Sequence, residues 1–320
     1  MMLTVFLTGG TGFVGGAILR YLSLSADYKV IAGVRKYSSR IPESVIQIVG
    51  KQNSLLFTEP DLSGVDVMIH AAARVHIMNG EGPEALEEFR KVNTAGTLAL
   101  AREAAEAGVK RFVFISSIKV NGEGTLPGSP YHADDAPAPQ GAYGVSKLEA
   151  EQGLQAIAAE TGMEIVIIRP VLVYGPGVKA NFRTMMSWLE KGIPLPFGAI
   201  NNKRSLVALD NLVDLIVTCI DHPAAVNQVF LVSDGEDLST TSLLRRLGQV
   251  LGKPARLMPV PVWLLTTLAQ VLGKGALSQR LFGSLQVDIE KNRALLDWVP
   301  KVSVESALAQ TAKNFSERRM

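Results

Sequence analysis

The chain has 320 residues, 47% hydrophobic and 19% charged, a globular rather than a disordered composition. Its 32 Lys and Arg nearly balance its 30 Asp and Glu, and it carries no basic block or run of aromatics, which argues against a nucleic-acid binder. A single cysteine, Cys219, excludes an internal disulfide and a cysteine-cluster metal site, and no metal is expected.

Leu3, Val5 and Leu7 mark a short buried strand over 3–7. Gly9, Gly12 and Gly15 follow at three-residue intervals, and Phe13, Val14, Ala17, Ile18 and Leu19 open a helix. A strand, a glycine-rich turn and a helix N-terminus form a pyrophosphate site. The first glycine allows the tight turn, the second lets backbone N–H groups approach phosphates, and the third lets helix pack on strand. The spacing is Gly-x-x-Gly-x-x-Gly, not Gly-x-Gly-x-x-Gly.

Further strands are expected over 29–34, 45–49 and 66–70, the last running into Ala71, Ala72 and Ala73. A long helix over 84–107 carries Phe89, Val92, Leu98, Leu100 and Ala104 at helical spacing and ends at Gly108. A strand over 111–115, a helix over 143–161 and a strand over 164–168 continue the rhythm. Alternating βα units specify a parallel sheet covered on both faces, with ligands outside the carboxyl ends of its strands. The positions to examine are therefore 9–12, 34–36, 70–74, 116–117 and 169–177.

After Pro170 the pattern loosens. Stretches 175–177 and 192–198 read as Gly/Pro-rich loops, 206–219 as a helix with Cys219 as buried filler, and 228–232 as one more strand. From Leu238 the chain reads as mostly helical, ending near Trp298. The expected architecture is a Rossmann-type, doubly wound α/β sheet with a smaller, mostly helical C-terminal substrate domain. Residues 1–170 form the dinucleotide-binding domain, with 205–235 returning to it; 171–204 and 236–320 form a lid. No basic segment precedes the apolar run at 3–7, and no run reaches the roughly 18 apolar residues of a membrane span, so a cytoplasmic chain is expected. The apolar stretch 261–272, PVWLLTTLAQVL, reads as a core or subunit-contact helix, with membrane-surface contact as the alternative.

Tyr143 and Lys147 stand four apart near the start of a helix, on one face. A free phenol titrates near pH 10, and a neighbouring ammonium favours its phenolate. A surface Tyr beside a surface Lys is the plain alternative. Ser116 and Ser117 follow the buried strand RFVFI, where a hydroxyl can meet a substrate carbonyl or bond the local backbone. No Gly-x-Ser-x-Gly elbow is present, which leaves serine-hydrolase chemistry without support.

Six stretches then occur in one order: TGGTGFVG (8–15), DVMIHAAA (66–73), NTAGT (93–97), FVFISS (112–117), YGVSK (143–147) and RPVLVYGPG (169–177). With them the chain resembles the extended short-chain dehydrogenase/reductase family, in its nucleotide-sugar epimerase, dehydratase and reductase branch. PLPFG, NKRSLV and DWVP further on are similar to that branch too. The resemblance implies that Tyr143 is the general acid/base. Lys147 would hold the nicotinamide ribose and lower the Tyr143 pKa, and Ser117, last of the serine run, would orient the sugar oxygen. Gly9, Thr11, Gly12, Phe13, Val14, Gly15, Arg35, Ala71, Ala72, Asn93 and Lys147 would serve the cofactor, Asn93 chiefly by supporting the active-site helix. Asn181 and Arg204, with Arg280 as a weaker candidate, would hold a nucleotide diphosphate, and Phe197 the uracil. Phe197 as core and Arg204 paired with Asp210 are the structural alternatives.

Two departures matter. Relatives using NAD usually end the second strand in an acidic residue. Here Val34 is followed by Arg35 and Lys36, and an arginine suits a ribose 2′-phosphate, so NADP(H) is favoured, with NAD(H) and Arg35 stacking on adenine as the alternative. Many epimerases carry Tyr-Gly after the serine run, where this chain has Asn121-Gly122. SSIKVNGEG and GPGVKANF are similar to reductases that form UDP-linked N-acetylquinovosamine or N-acetylfucosamine for bacterial surface polysaccharide. The expected function is reduction of a UDP-4-keto-6-deoxy-N-acetylhexosamine. A UDP-glucose or UDP-N-acetylglucosamine 4-epimerase is the alternative, and a non-catalytic dinucleotide sensor a second. A UDP-sugar substrate is implied, no nucleic acid and no integral span, with a homodimer formed through the helices at 84–107 and 143–161.

Overall fold

The computed structural model describes residues 2–50, 61–75, 82–273 and 275–317; the side chains of 276, 277 and 280 lie outside that description. The chain begins with β1 (Leu3–Thr8), α1 (Phe13–Leu24), β2 (Tyr28–Val34), β3 (Ile46–Val49) and β4 (Val67–His70). It continues through α2 (Pro83–Phe89), a π-helical turn (Arg90–Ala95) and α3 (Gly96–Glu106), then β5 (Arg111–Ile115), α4 (Ala142–Thr161) and β6 (Glu164–Pro170). These strands, with β9 (Val229–Val232), form a seven-stranded sheet in the order β3-β2-β1-β4-β5-β6-β9, every pair parallel. The order reverses at β1 and β4, and doubly wound sheets bind their ligands outside the strand ends at such a reversal.

Central strands β4 and β5 are buried along their whole length. Their continuous apolar runs are what a sheet covered on both faces requires. One face packs β-strand residues such as Val5, Leu7, Val113 and Ile168 against α1 and α6 (Leu209–Asp221). The other packs Phe6, Met68, Phe112 and Phe114 against α3 and α4. Each of these fully buried aromatic rings contributes about 1.5–3 kcal/mol.

The second half departs from expectation in four places. β7 (Leu172–Tyr174) and α5 (Ala180–Glu190) occupy sequence with no expected element, either side of the expected loop at 175–177, and β8 (Arg204–Ala208) precedes α6, so the expected helix over 206–219 begins as a strand. β8 pairs in parallel with β7 and antiparallel with β10 (Asp237–Leu238), making a small second sheet. Three strands this short carry little alternation to distinguish them from loop. Helices α7 (Thr240–Val250), α8 (Val262–Val271), α9 (Gly275–Phe282) and α10 (Glu290–Leu296) follow, but the chain does not stop being helical near Trp298. α11 (Val304–Glu317) comes after it and buries Leu308 and Phe315 in a third core with Tyr174, Phe182 and Leu244. No residue of α8 is buried, so it is not a core helix. Cys219 is buried filler, its thiol pushed up to about 12 by desolvation.

The expected helix over 84–107 is continuous but contains the π-helical turn. That extra residue per turn brings Asn93 inside, where it is buried. Such turns often mark functional positions, and no single residue type announces one.

Candidate active site

The turn after β1 is shaped by close contacts. Gly9 has φ +78°, and a Cβ on it would lie 2.7 Å from the Ala71 and Ala72 backbone at the end of β4. A Cβ on Gly15 would lie 2.2 Å from the Gly9 carbonyl oxygen. The turn therefore presses against both α1 and the β4 loop, bringing Gly9, Ala71 and Ala72 together. Gly12 caps α1 without any side-chain acceptor, while Thr11 and Gly12 are exposed and Phe13 and Val14 half-buried. No side chain caps the first N–H groups of the helix, and a helix N-terminus left so fits a dinucleotide pyrophosphate. Arg35 and Lys36 stand exposed at the carboxyl end of β2.

Tyr143 lies in the first turn of α4, half-buried, its ring edge-on to Phe89 of α2 at 5.8 Å. Ser117 Oγ accepts from the Lys119 N–H at 3.3 Å, so its own proton stays available to the neighbouring Tyr143 hydroxyl, whose phenolate it favours. Burial pushes the Tyr143 phenol up to about 12, with the Ser117 bond opposing. Lys147, one turn on, is buried. Its Nζ donates to the Ile115 carbonyl at 2.8 Å and sits 3.9 Å from the Phe114 ring centre. Desolvation lowers it to about 7, opposed by the negative charge of Glu151.

A buried polar network underlies these residues. Tyr143, Lys147 and Glu151 share one face of α4 at four-residue spacing. Glu151 accepts from Arg169 Nη2 at 2.6 Å and Nε at 3.1 Å, and from the Ser116 hydroxyl. Arg169 Nη1 donates to Asn121 Oδ1 at 2.9 Å. The Asn121 that stands where many epimerases have tyrosine is thus tied inward to Arg169. On the other side, the Thr97 hydroxyl donates to the Asn93 carbonyl at 2.7 Å, so it accepts from His70 Nε2–H at 3.1 Å. His70 Nδ1 then accepts from the Thr8 hydroxyl at 2.7 Å. This chain needs a neutral imidazole. Burial and the Lys147 charge enforce one, holding His70 at about 3. Asn93 donates to Ser146 Oγ at 3.1 Å and accepts from the Arg74 N–H at 2.8 Å, joining the β4 loop to α4. Sequence reading placed His70 and Arg169 among the strand-end positions to examine without giving them a role, and missed Glu151, for which the Tyr-x-x-x-Lys-x-x-x-Glu spacing was the available signal.

The lid candidates divide. Phe197 packs on Phe282 at 6.1 Å, and Arg204 Nη1 donates to the Gly283 carbonyl at 3.1 Å, so both converge on the end of α9. Arg280 lies on α9, but its side chain falls outside the described residues. Asn181 is exposed in the first turn of α5.

A doubly wound sheet with a glycine-turn cradle, and a Ser-Tyr-Lys set at its carboxyl edge, defines a dinucleotide-dependent enzyme of the short-chain dehydrogenase/reductase kind. The model of the NAD dependent epimerase/dehydratase family matches residues 5–233, and the chain belongs to that family, in its nucleotide-sugar epimerase/reductase branch. It is 50% identical over 98% of its length to a UDP-glucose 4-epimerase of Vibrio cholerae, 95% of which is covered. Two crystal structures share the fold. One is a UDP-glucose 4-epimerase of Thermotoga maritima with UDP-glucose (TM-score 0.78, 21% identity, 99% of this chain and 100% of that one). The other is a UDP-glucuronic acid 4-epimerase of Bacillus cereus with NAD (TM-score 0.78, 18% identity, the same coverage).

Proposed function

We propose that this chain reduces the 4-keto carbon of a UDP-linked 4-keto-6-deoxy-N-acetylhexosamine, with NADPH preferred. The arrangement that supports the reading is Tyr143 in the first turn of α4, its ring against Phe89, with Lys147 buried one turn on and Ser117 just past the end of β5; burial raises the phenol, which keeps its proton at neutral pH, as a donor must. The nicotinamide cofactor supplies hydride when bound. Gly9, Thr11, Gly12, Phe13, Val14 and Gly15 would cradle its pyrophosphate, beside Ala71 and Ala72 at the end of β4. Arg35, exposed after β2, would receive the ribose 2′-phosphate.

Ser117 orients the sugar C4 carbonyl. Tyr143 would donate its proton to the C4 oxygen of the reduced carbon, giving the 4-hydroxyl and leaving a phenolate on Tyr143. Lys147 stabilises that phenolate until solvent reprotonates it, and holds the cofactor ribose. Asn93 fixes α4 through Ser146. Arg204 and Asn181 grip the diphosphate, Arg280 assists, and Phe197 meets the uracil.

The Vibrio cholerae relative favours a second reading, a UDP-hexose 4-epimerase in which Tyr143 works in both directions and NAD is retained. Parallel incubations separate the two. The reductase consumes NADPH with the UDP-4-keto sugar and leaves UDP-glucose untouched. The epimerase converts UDP-glucose or UDP-N-acetylglucosamine to its 4-epimer with no net cofactor consumption. NMR identifies each product.

A further inference from the structure

Helix α8 is apolar on both sides, yet only one side is covered. Val262, Leu265, Thr266 and Ala269 are half-buried toward the protein, where α8 packs on α9. Trp263, Leu264, Leu268, Val271 and Leu272 are exposed on the opposite face, with Thr267 and Gln270 among them and Trp263 69% and Val271 79% exposed. A cluster of large exposed apolar side chains marks a contact surface. Its surroundings in the sequence are one-signed. Residues 239–287 contain Arg245, Arg246, Lys253, Arg256, Lys274 and Arg280, and no Asp or Glu. Arg246 is engaged by Glu236, whereas Lys253 and Arg256 are exposed in the segment leading into α8.

We propose that the outer face of α8 docks on an anionic phospholipid bilayer. Trp263 and the leucines enter the boundary between headgroups and acyl chains, and the flanking cations meet lipid phosphates. Charge decides between this partner and a second copy of the chain. A dimer would bring two acid-free cationic segments together, whereas an anionic surface complements one. The element is joined to the nucleotide lid. The Met258 carbonyl accepts from Gly198 N–H at 2.9 Å, the Met258 N–H donates to Leu195 at 2.8 Å, and Phe282 of α9 meets Phe197. Docking would present the lid to the membrane surface. The inference goes beyond the reductase reading and does not depend on it.

The test is flotation of the intact chain with vesicles of phosphatidylglycerol and phosphatidylcholine in equal parts, against phosphatidylcholine alone. Binding to the anionic vesicles is expected, weakened by high salt and reduced at least about tenfold in Trp263→Asp/Leu268→Asp. Thermal melting checks that this variant folds. Independently, tryptophan emission of the native chain should shift to the blue with anionic vesicles, and the shift should vanish in Trp263→Phe. Absence of binding, equal binding to both vesicle types, or unchanged binding in the double variant overturns the proposal. So does light scattering in which the double variant turns a native dimer into a monomer while neither protein binds vesicles, which would make the face a subunit contact.

Discussion

Arg169 grips Glu151 through two guanidinium nitrogens, with both side chains buried, one turn along α4 from Lys147. Removing one partner leaves a buried charge unmatched. Glu151→Ala or Arg169→Ala should each lose about 3–5 kcal/mol of stability. The double variant Glu151→Leu/Arg169→Met should lose less than either, because no unpaired charge remains. Urea unfolding of the three proteins checks this; a double variant as weak as the sum of the singles would mean that the pair is not the unit.

Tyr143→Phe should fold, because it keeps the ring contact with Phe89, and should still bind dinucleotide. Turnover should fall on the order of 10²–10⁴-fold, as expected for a positioned acid. Steady-state kinetics and a cofactor titration read the two properties separately. Near-native turnover would remove Tyr143 from the proton path.

His70 sets a pH dependence of stability. Its folded pKa, about 3, lies below the ordinary histidine value of 6.5. Between those values the unfolded chain holds the extra proton, so stability rises with pH across this window and is lost as the solution is acidified. The loss from this group at pH 5 is about 2 kcal/mol relative to pH 7. His70→Gln cannot take the proton, so its stability profile should be flatter by that amount. Urea midpoints at several pH values for both proteins test it, and parallel profiles would contradict a buried neutral imidazole.

Cofactor choice should follow the end of β2. Replacing Val34 by Asp and Arg35 by Asn introduces a carboxylate that accepts ribose hydroxyl bonds and repels a 2′-phosphate. The ratio of kcat/KM for NADPH over NADH should fall by roughly tenfold or more, about 1.4 kcal/mol or above. A native preference for NADH, unchanged by the substitutions, would assign Arg35 to another task.

The parallel sheet was legible because its strands are long apolar runs and its helices repeat at 3.6 residues; Val113, Phe114 and Ile115 have no solvent face to blur the pattern. Tyr143 and Lys147 were legible because a helix puts residues four apart side by side. The partners of Lys147 were harder to read. Arg169 reaches Glu151 across 18 positions and His70 reaches Thr97 across 27, pairings that only tertiary packing creates. β7 and β8 were missed because strands of 3 and 5 residues carry too short a pattern. α5 was missed because it lies between two Gly/Pro-rich stretches. The π-helical turn that brings Asn93 inward has no signature in residue type.

The most direct test of the central claim follows the hydride itself. The purified chain is incubated with a UDP-4-keto-6-deoxy-N-acetylhexosamine and NADPH deuterated at the transferable position, and the product is examined by NMR. The account predicts one equivalent of NADPH consumed per product and deuterium at C4 of a 4-hydroxy sugar of single configuration. An unlabelled C4, or no consumption of NADPH while UDP-glucose is converted to its 4-epimer, would contradict it.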